Sequence, residues 1–335
     1  MATDIRLGFA GTVGNTPLIK IESLSAATGC NILGKAEFLN PGGSVKDRAA
    51  LFMVMQAEQD GLLKPGGAIV EGTAGNTGIG LTLVANARGY RSIIVMPNNQ
   101  SQEKIDLLRT FGAEVELVEP VPFANQNNYY HVARARAEQL DNAFWANQFE
   151  NLANADAHYQ TTGPEIWQQT GGDLDGVVMA SGTGGTIGGV SSYLKEQKSE
   201  IAAYLIDPPG AAMYGYVNTG EVTKTEGSSI TEGIGIGRVT ANFARAKLDG
   251  AFRGTDQEVI EMSHFLLKHD GLFLGSSAAL NAVGAMRLAR KLGSGHTIAT
   301  ILCDGGGRYR SRMYNLDWLK EKDLVPVAKG LEFLD

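Results

Sequence analysis

Lys46 stands in the segment Asn40-Pro-Gly-Gly-Ser-Val-Lys-Asp-Arg48, where a tight Pro-Gly-Gly turn runs into an apolar stretch from Ala49 to Met55. Ser44 and Asp47 have the S-x-x-D spacing of a capping box, which predicts that a helix begins here with Lys46 in its first turn. A cation is disfavoured at that place, because the helix N-terminus carries partial positive charge. An amine held there gives up its proton more readily and becomes a better nucleophile. The plainer reading is a solvated surface lysine, and the segment taken alone favours it.

Two glycine loops add to the chemistry. Thr73-Ala-Gly-Asn-Thr-Gly78 lies between an apolar strand pattern and a helical one, where exposed N–H groups suit a carboxylate or a phosphate. Asn76 and Thr77 supply side-chain donors; a tight turn needing glycine explains the loop equally well. Ser181-Gly-Thr-Gly-Gly-Thr-Ile-Gly-Gly189 has the composition of a phosphate cradle. Gly182 and Gly184 begin a G-x-G-x-x-G fingerprint, but Ile187 occupies its third position and no Walker lysine follows. A phosphate monoester therefore fits better than a dinucleotide or ATP.

Other stretches carry weaker signals. Glu232-Gly-Ile-Gly-Ile-Gly-Arg238 reads as an irregular loop, and Asp304-Gly-Gly-Gly-Arg-Tyr309 follows an apolar strand. Gly275-Ser-Ser-Ala278 precedes a helix, so one of the two serines is expected to be its N-cap. The five histidines, His131, His158, His264, His269 and His296, have no metal-ligand spacing and receive no role.

The elements that must position these loops alternate. Short β-branched runs predict buried strands over Ala68–Glu71, Ser92–Met96, Glu114–Val118, Gly176–Ala180, Ala202–Asp207 and Thr297–Cys303. Helical spacing covers Arg48–Gln59, Ile79–Arg88, Gln102–Phe111, Ile187–Lys195, Glu258–Lys268 and Ala278–Lys291. This is an α/β pattern with parallel sheets covered on both faces. Two sheets are expected, joined by a bridging region over residues 142–170 that is rich in Asn, Gln and His. Ligands of such sheets sit at the carboxyl ends of strands, where each of the loops is expected to fall.

Composition bounds the rest. The 335 residues are 43% hydrophobic, enough for a sizeable core. A net charge of −7, from 29 basic and 36 acidic side chains, speaks against a nucleic-acid surface. Forty-three glycines, about 13% of the chain, exceed the average near 7% and cluster at turns. The start carries Asp4 and no basic-then-apolar run, and no stretch is apolar enough for a membrane span, so neither a secretory signal nor an anchor is expected. Cys30 and Cys303 form no CxxC pair, which fits a reducing compartment and a cytoplasmic location, with no metal site.

Together the loops resemble the cysteine synthase (O-acetylserine sulfhydrylase) family within the fold type II, or β-family, pyridoxal-phosphate (PLP) enzymes. The resemblance runs from Gly14-Asn-Thr-Pro-Leu18 to Tyr309, and Asn15-Thr-Pro, Asn40–Arg48, Thr73–Gly78, Gly182–Thr186 and Glu232–Gly237 occur in the family's order. That conjunction reverses the plainer reading of Lys46. It implies two α/β domains of the tryptophan synthase β-like type, each a mostly parallel twisted sheet flanked by helices, with the active site in the cleft between them. The smaller domain would span residues 40–152 with the extreme N-terminus, the larger 12–39 and 153–335.

Residue by residue, the resemblance makes Lys46 the Schiff-base lysine and the catalytic base. It makes Asn76 the partner of the cofactor's ring hydroxyl and Gly182, Thr183, Gly184, Gly185 and Thr186 the phosphate cup. Ser277, with Ser276 as the fallback, would face the pyridine nitrogen. Thr73, Gly75, Asn76, Thr77 and Gln148 would contact the substrate. The implied reaction is β-replacement on an activated serine, O-acetylserine and sulfide giving L-cysteine and acetate through an α-aminoacrylate intermediate. A neutral serine at the pyridine nitrogen makes a weaker electron sink and favours prompt loss of the β-substituent.

A homodimer, and serine acetyltransferase as a partner, are also implied. Cystathionine β-synthase, cyanoalanine synthase and O-phosphoserine sulfhydrylase chemistries are the related alternatives. A non-catalytic binding or regulatory member and a nicotinamide oxidoreductase are more remote. The sequence departs from the family at Ala74, at Met96-Pro-Asn-Asn-Gln-Ser101 and at Arg238, where an arginine facing the site would favour a charged leaving group. Neither a haem-binding extension nor a regulatory module accompanies these motifs, an expectation against an animal-type cystathionine β-synthase.

Overall fold

A computed structural model describes residues 5–73, 75–100 and 102–335. Ten strands occur among them: β1 (Leu18–Lys20), β2 (Asn31–Ala36), β3 (Ala68–Gly72), β4 (Arg91–Pro97), β5 (Glu114–Val118), β6 (Ala143–Trp145), β7 (Gly176–Met179), β8 (Ala202–Asp207), β9 (Gly250–Arg253) and β10 (Thr297–Leu302). The chain forms two compact units. The first is the segment ending at Gly14 together with Asn40–Ala157; the second is Asn15–Leu39 with His158–Asp335.

In the first unit the sheet order is β5-β4-β3-β6, all parallel. Successive residues of β3 serve opposite faces, as a strand covered on both sides requires. Ile69 packs with Ala49, Met53 and Val54 of helix Lys46–Gln59 and with Leu81 and Val84 of helix Asn76–Arg88. Val70 packs instead with Ala133 and Ala137 of helix Tyr129–Glu138.

The second unit orders its strands β1-β2-β10-β7-β8-β9, parallel except for the antiparallel β1–β2 pair. Val178, Ile206, Ile298 and Leu302 share a core with helices Asp256–Asp270 and Ser276–Leu292. The first of these helices has a capping box, in which Thr255 Oγ1 accepts from the Glu258 amide at 3.2 Å and the Glu258 carboxylate accepts from the Thr255 amide at 2.7 Å. It stops at Gly271, whose φ of 68° suits glycine.

All six expected strands and all six expected helices are present, most with slightly different ends. The expected bridging region is more regular than its composition suggests. It holds β6, helix Ala153–Ala157, a π-helical turn His158–Thr162 and helix Gly163–Gln169. No helix among the described residues is long and apolar enough to cross a membrane.

Candidate active site

In the first unit the Thr73–Gly78 loop leaves the carboxyl end of β3. Gly72 must be glycine, because a Cβ there would lie 2.8 Å from the Tyr129 carbonyl oxygen. Thr73 anchors the turn by donating its amide to Val95 O at 3.0 Å, and Thr73 Oγ1 accepts from the Gly75 amide at 3.2 Å. Asn76 is the first residue of the following helix and is half-buried. Ala74 and Ser101 lie outside the described residues.

From β6 the chain passes through Asn147, at φ 49°, to the buried Gln148. Thr77 Oγ1 donates to Gln148 Oε1 at 2.6 Å, and Gln148 Nε2 donates to Glu71 Oε1 at 3.1 Å. The structure thus gathers Thr73, Gly75, Asn76, Thr77 and Gln148 around one strand end. Glu71 was not expected there. Desolvation raises its carboxyl to about 8, against the lowering pull of the Gln148 side chain and the Gln148 and Asn147 backbone.

Lys46 is the first residue of its helix and half-buried. The expected capping box is replaced by another arrangement. Val45 holds the N-cap position without a side-chain bond, and Ser44 Oγ accepts from the Lys46 amide at 3.2 Å. Asp47 turns back to accept from the Gly42 amide at 2.5 Å, an approach that a Cβ on Gly42 would block. Gly80 keeps the two helices close: its Cβ would sit 3.3 Å from Lys46 O. Lys46 and the Asn76 loop therefore begin neighbouring helices.

In the second unit Ser181–Gly184 follows β7 and leads into helix Gly185–Gln197, which has no side-chain cap. The turn is moulded backbone on backbone. A Cβ on Gly182 would lie 1.9 Å from Gly233 O, and one on Gly188 would lie 2.4 Å from Asn242 O. Gly184 has φ 86°, and its Cβ would lie 2.4 Å from the Phe243 nitrogen. Thr240 Oγ1 donates to Thr183 O at 2.7 Å. Buried His158 bonds Thr186 Oγ1 through Nε2 at 3.2 Å and Thr162 Oγ1 through Nδ1 at 2.8 Å. Sequence reasoning gave His158 no role, and only its partners reveal one.

The irregular loop over residues 232–238 links this turn to the two serines. Gly233 packs on Gly182, and the Glu232 amide donates to Ser276 Oγ at 3.2 Å. Neither serine is the N-cap, as had been expected; Gly275 is, and Ser276 opens the helix with its hydroxyl turned to Glu232. Ser277 is buried. The Asp304–Tyr309 stretch braces Gly275: Asp304 O accepts its amide at 3.0 Å, and Tyr309 Oη donates to Asp304 Oδ2 at 2.7 Å. Of the expected loops, those at residues 73–78, 181–189 and 304–309 follow strands directly; those at 40–48, 232–238 and 275–278 do not. Arg238 is half-buried at the end of its loop.

A family model described as pyridoxal-phosphate dependent enzyme matches residues 9–304. The chain belongs to the pyridoxal-phosphate-dependent enzyme family. Among its relatives, a cysteine synthase of Dictyostelium discoideum is 55% identical over 98% of this chain and 89% of that protein. Cysteine synthase 1 of Neurospora crassa is 54% identical over 97% of the chain and 87% of its own length. The solved structure of an O-acetylserine dependent cystathionine beta-synthase from Helicobacter pylori matches with a TM-score of 0.83 at 32% identity, covering 92% of this chain and 98% of that one. The fold is accordingly that of the tryptophan synthase β-like, fold type II enzymes.

The residues present fit the family's cofactor. A phosphate monoester suits the Gly182–Thr186 turn, which leads into the start of helix Gly185–Gln197, where no side chain caps the backbone N–H groups. The Ser277 hydroxyl is an uncharged group of the kind a pyridine nitrogen accepts from. Among the described residues no cluster of His, Cys, Asp and Glu suits a metal ion.

Proposed function

We propose that this protein is a cysteine synthase, replacing the acetyl ester of O-acetylserine by sulfide to give L-cysteine and acetate. Identity of 54–55% with cysteine synthases along nearly the whole chain carries the reading. The bound cofactor supplies an electron sink for cleavage at the substrate's Cα and Cβ. The chain supplies the rest. Lys46 Nζ would be the covalent anchor of the cofactor and, as a free amine, the base that takes the α-proton and later returns it. Gly182, Thr183, Gly184, Gly185 and Thr186 receive the cofactor phosphate, Asn76 its ring hydroxyl, and Ser277 its pyridine nitrogen. Thr73, Gly75, Asn76, Thr77 and Gln148 hold the amino-acid substrate.

A cytoplasmic homodimer that also engages serine acetyltransferase completes the proposal. The free thiols of Cys30 and Cys303 agree with a reducing compartment. A second nucleophile is compared with sulfide, because the Helicobacter pylori neighbour is an O-acetylserine dependent cystathionine beta-synthase. The test is an absorbance spectrum of the purified protein, before and after O-acetylserine, with sulfide or homocysteine then added. A visible band that shifts with the donor and returns with sulfide supports the reading. Return only with homocysteine transfers the assignment to cystathionine synthesis, and no band even with added PLP overturns both.

A further inference from the structure

Glu71 has no part in the roles above. It is fully buried in β3, one residue from the strand's end. Oε1 accepts from Gln148 Nε2 at 3.1 Å, and Oε2 is buried without a hydrogen-bond partner among the described residues. The other end of the Gln148 amide is held by Thr77 at 2.6 Å. An amide nitrogen carries two hydrogens. One goes to Glu71; the other leans on Gly72 O at 3.4 Å, near the limit of a hydrogen bond, and is the more weakly held.

We propose that Glu71 is a positioning residue for amino-acid recognition, fixing the Gln148 amide with its N–H groups toward the Gly72–Thr73 turn. This rests on the reading of Thr73, Thr77 and Gln148 as substrate contacts. Thr77 alone cannot choose the orientation, since a hydroxyl can donate to the amide oxygen or accept from its nitrogen. A flipped amide would turn its carbonyl dipole on an incoming carboxylate.

The charge state matters as well. Burial favours the neutral acid, with the carboxyl raised to about 8, and no charged side chain contributes to that rise. The charged groups on the elements packed about β3 are engaged elsewhere: Arg91 with Glu114, Arg88 with Glu58, Arg134 with Glu138 and Arg136 with Glu116. His131 bonds Phe123 O and Tyr130 bonds Asn147, while helix Lys46–Gln59 brings Lys46, Asp47 and Arg48. A neutral Glu71 holds Gln148 through Oε1, with the acceptor-only Gly72 O deciding which end of the amide faces it, and sets no second negative charge near the substrate carboxylate. Ionisation would add that charge, so amino-acid binding weakens as pH passes about 8.

The test compares the wild-type holoenzyme with Glu71→Gln and Glu71→Leu. Infrared spectra near neutral pH should show a protonated carboxyl band that Glu71→Gln removes. Glu71→Leu should raise KM for O-acetylserine roughly five- to tenfold, with kcat and the KM for sulfide within about twofold. Glu71→Gln should keep KM near the wild-type value at neutral pH and lose the wild-type rise above about pH 8. Equal KM–pH curves for wild type and Glu71→Gln, or parallel changes in every constant for Glu71→Leu, would overturn the proposal. Should Glu71→Leu fail to fold, the Glu71→Gln curve decides. Should O-acetylserine not be the donor, dissociation constants for L-serine and L-cysteine from the visible-band shift replace KM. A wrong donor and a wrong role for Glu71 are thereby told apart.

Discussion

Lys46 begins its helix where backbone N–H groups converge, a setting that disfavours an extra positive charge and favours a nucleophilic amine. Lys46→Ala should therefore lose the visible band and at least about a thousandfold of turnover. Its melting temperature should stay within a few degrees of the cofactor-free wild type, since the side chain is only half-buried. Retention of the band would move the covalent anchor to another lysine. His158 bears on the other half of the chemistry. It spans Thr162 and Thr186, so it holds the Thr186 hydroxyl in one rotamer. Removing it with His158→Ala should weaken cofactor retention by roughly fivefold, as for one lost hydrogen bond, read as a PLP dissociation constant by equilibrium dialysis. An unchanged constant would make His158 a packing residue only. Neither His158 nor Glu71 was visible as a site residue in the sequence. Each acquires meaning through a side chain 28 or 77 residues away.

Loops built of glycine can be tested as elements, because what they exclude is a Cβ. Gly182→Ala would drive a methyl into the Gly233 carbonyl, backbone against backbone, so the loop at residues 232–238 must shift. Displacement on this scale typically costs about 1–3 kcal/mol, and PLP affinity should fall roughly ten- to hundredfold. Gly307→Ala is the control, since a Cβ there meets nothing within 4 Å. Equal loss in both variants would mean general destabilisation rather than a damaged phosphate turn.

The elements legible beforehand were those whose patterns are strong: β3, β4, β8 and β10 are mostly apolar and almost wholly buried, and helix Ser276–Leu292 is apolar on most of its length. Those missed lacked a local signal. β1 and β6 have three residues each. β2 contains Gly34 and the fully buried Lys35, a pattern that makes sense only once Lys35 reaches Glu165 at 2.6 Å and Thr16 O at 2.5 Å. Helix Tyr129–Glu138 buries only Ala133 and Ala137, too narrow a stripe to show a period. The capping box at Ser44 failed for a related reason: the spacing was right, but Asp47 found the Gly42 amide.

Each unit carries a buried acid with a raised carboxyl near the carboxyl end of a parallel strand, Glu71 in β3 and Asp207 closing β8. Desolvation raises Asp207 to about 7, more than the amides of Tyr214 and Met213 lower it. A carboxyl whose folded-state value is raised binds its proton more tightly in the folded chain. Its contribution to stability is complete below the unfolded value and is lost as pH rises through the folded one. The window runs from 4.5 to about 8 for Glu71 and from 3.8 to about 7 for Asp207. Carboxylates with lowered values act oppositely. Asp175, held by the Thr297 amide and Lys198, and Glu58, held by Arg88 and Tyr90, lose their contribution only as pH falls below the ordinary carboxylate range. The two trends meet at the ordinary carboxylate values, so stability should peak at about pH 4 and decline from pH 5 toward pH 8. Calorimetry should show the melting temperature falling by a few degrees over that interval. Glu71→Gln and Asp207→Asn should each flatten part of the decline, and the double variant most of it. A melting temperature that instead rises from pH 5 to 8 would mean that both acids are ionised in the folded chain, with water or a cation reaching them.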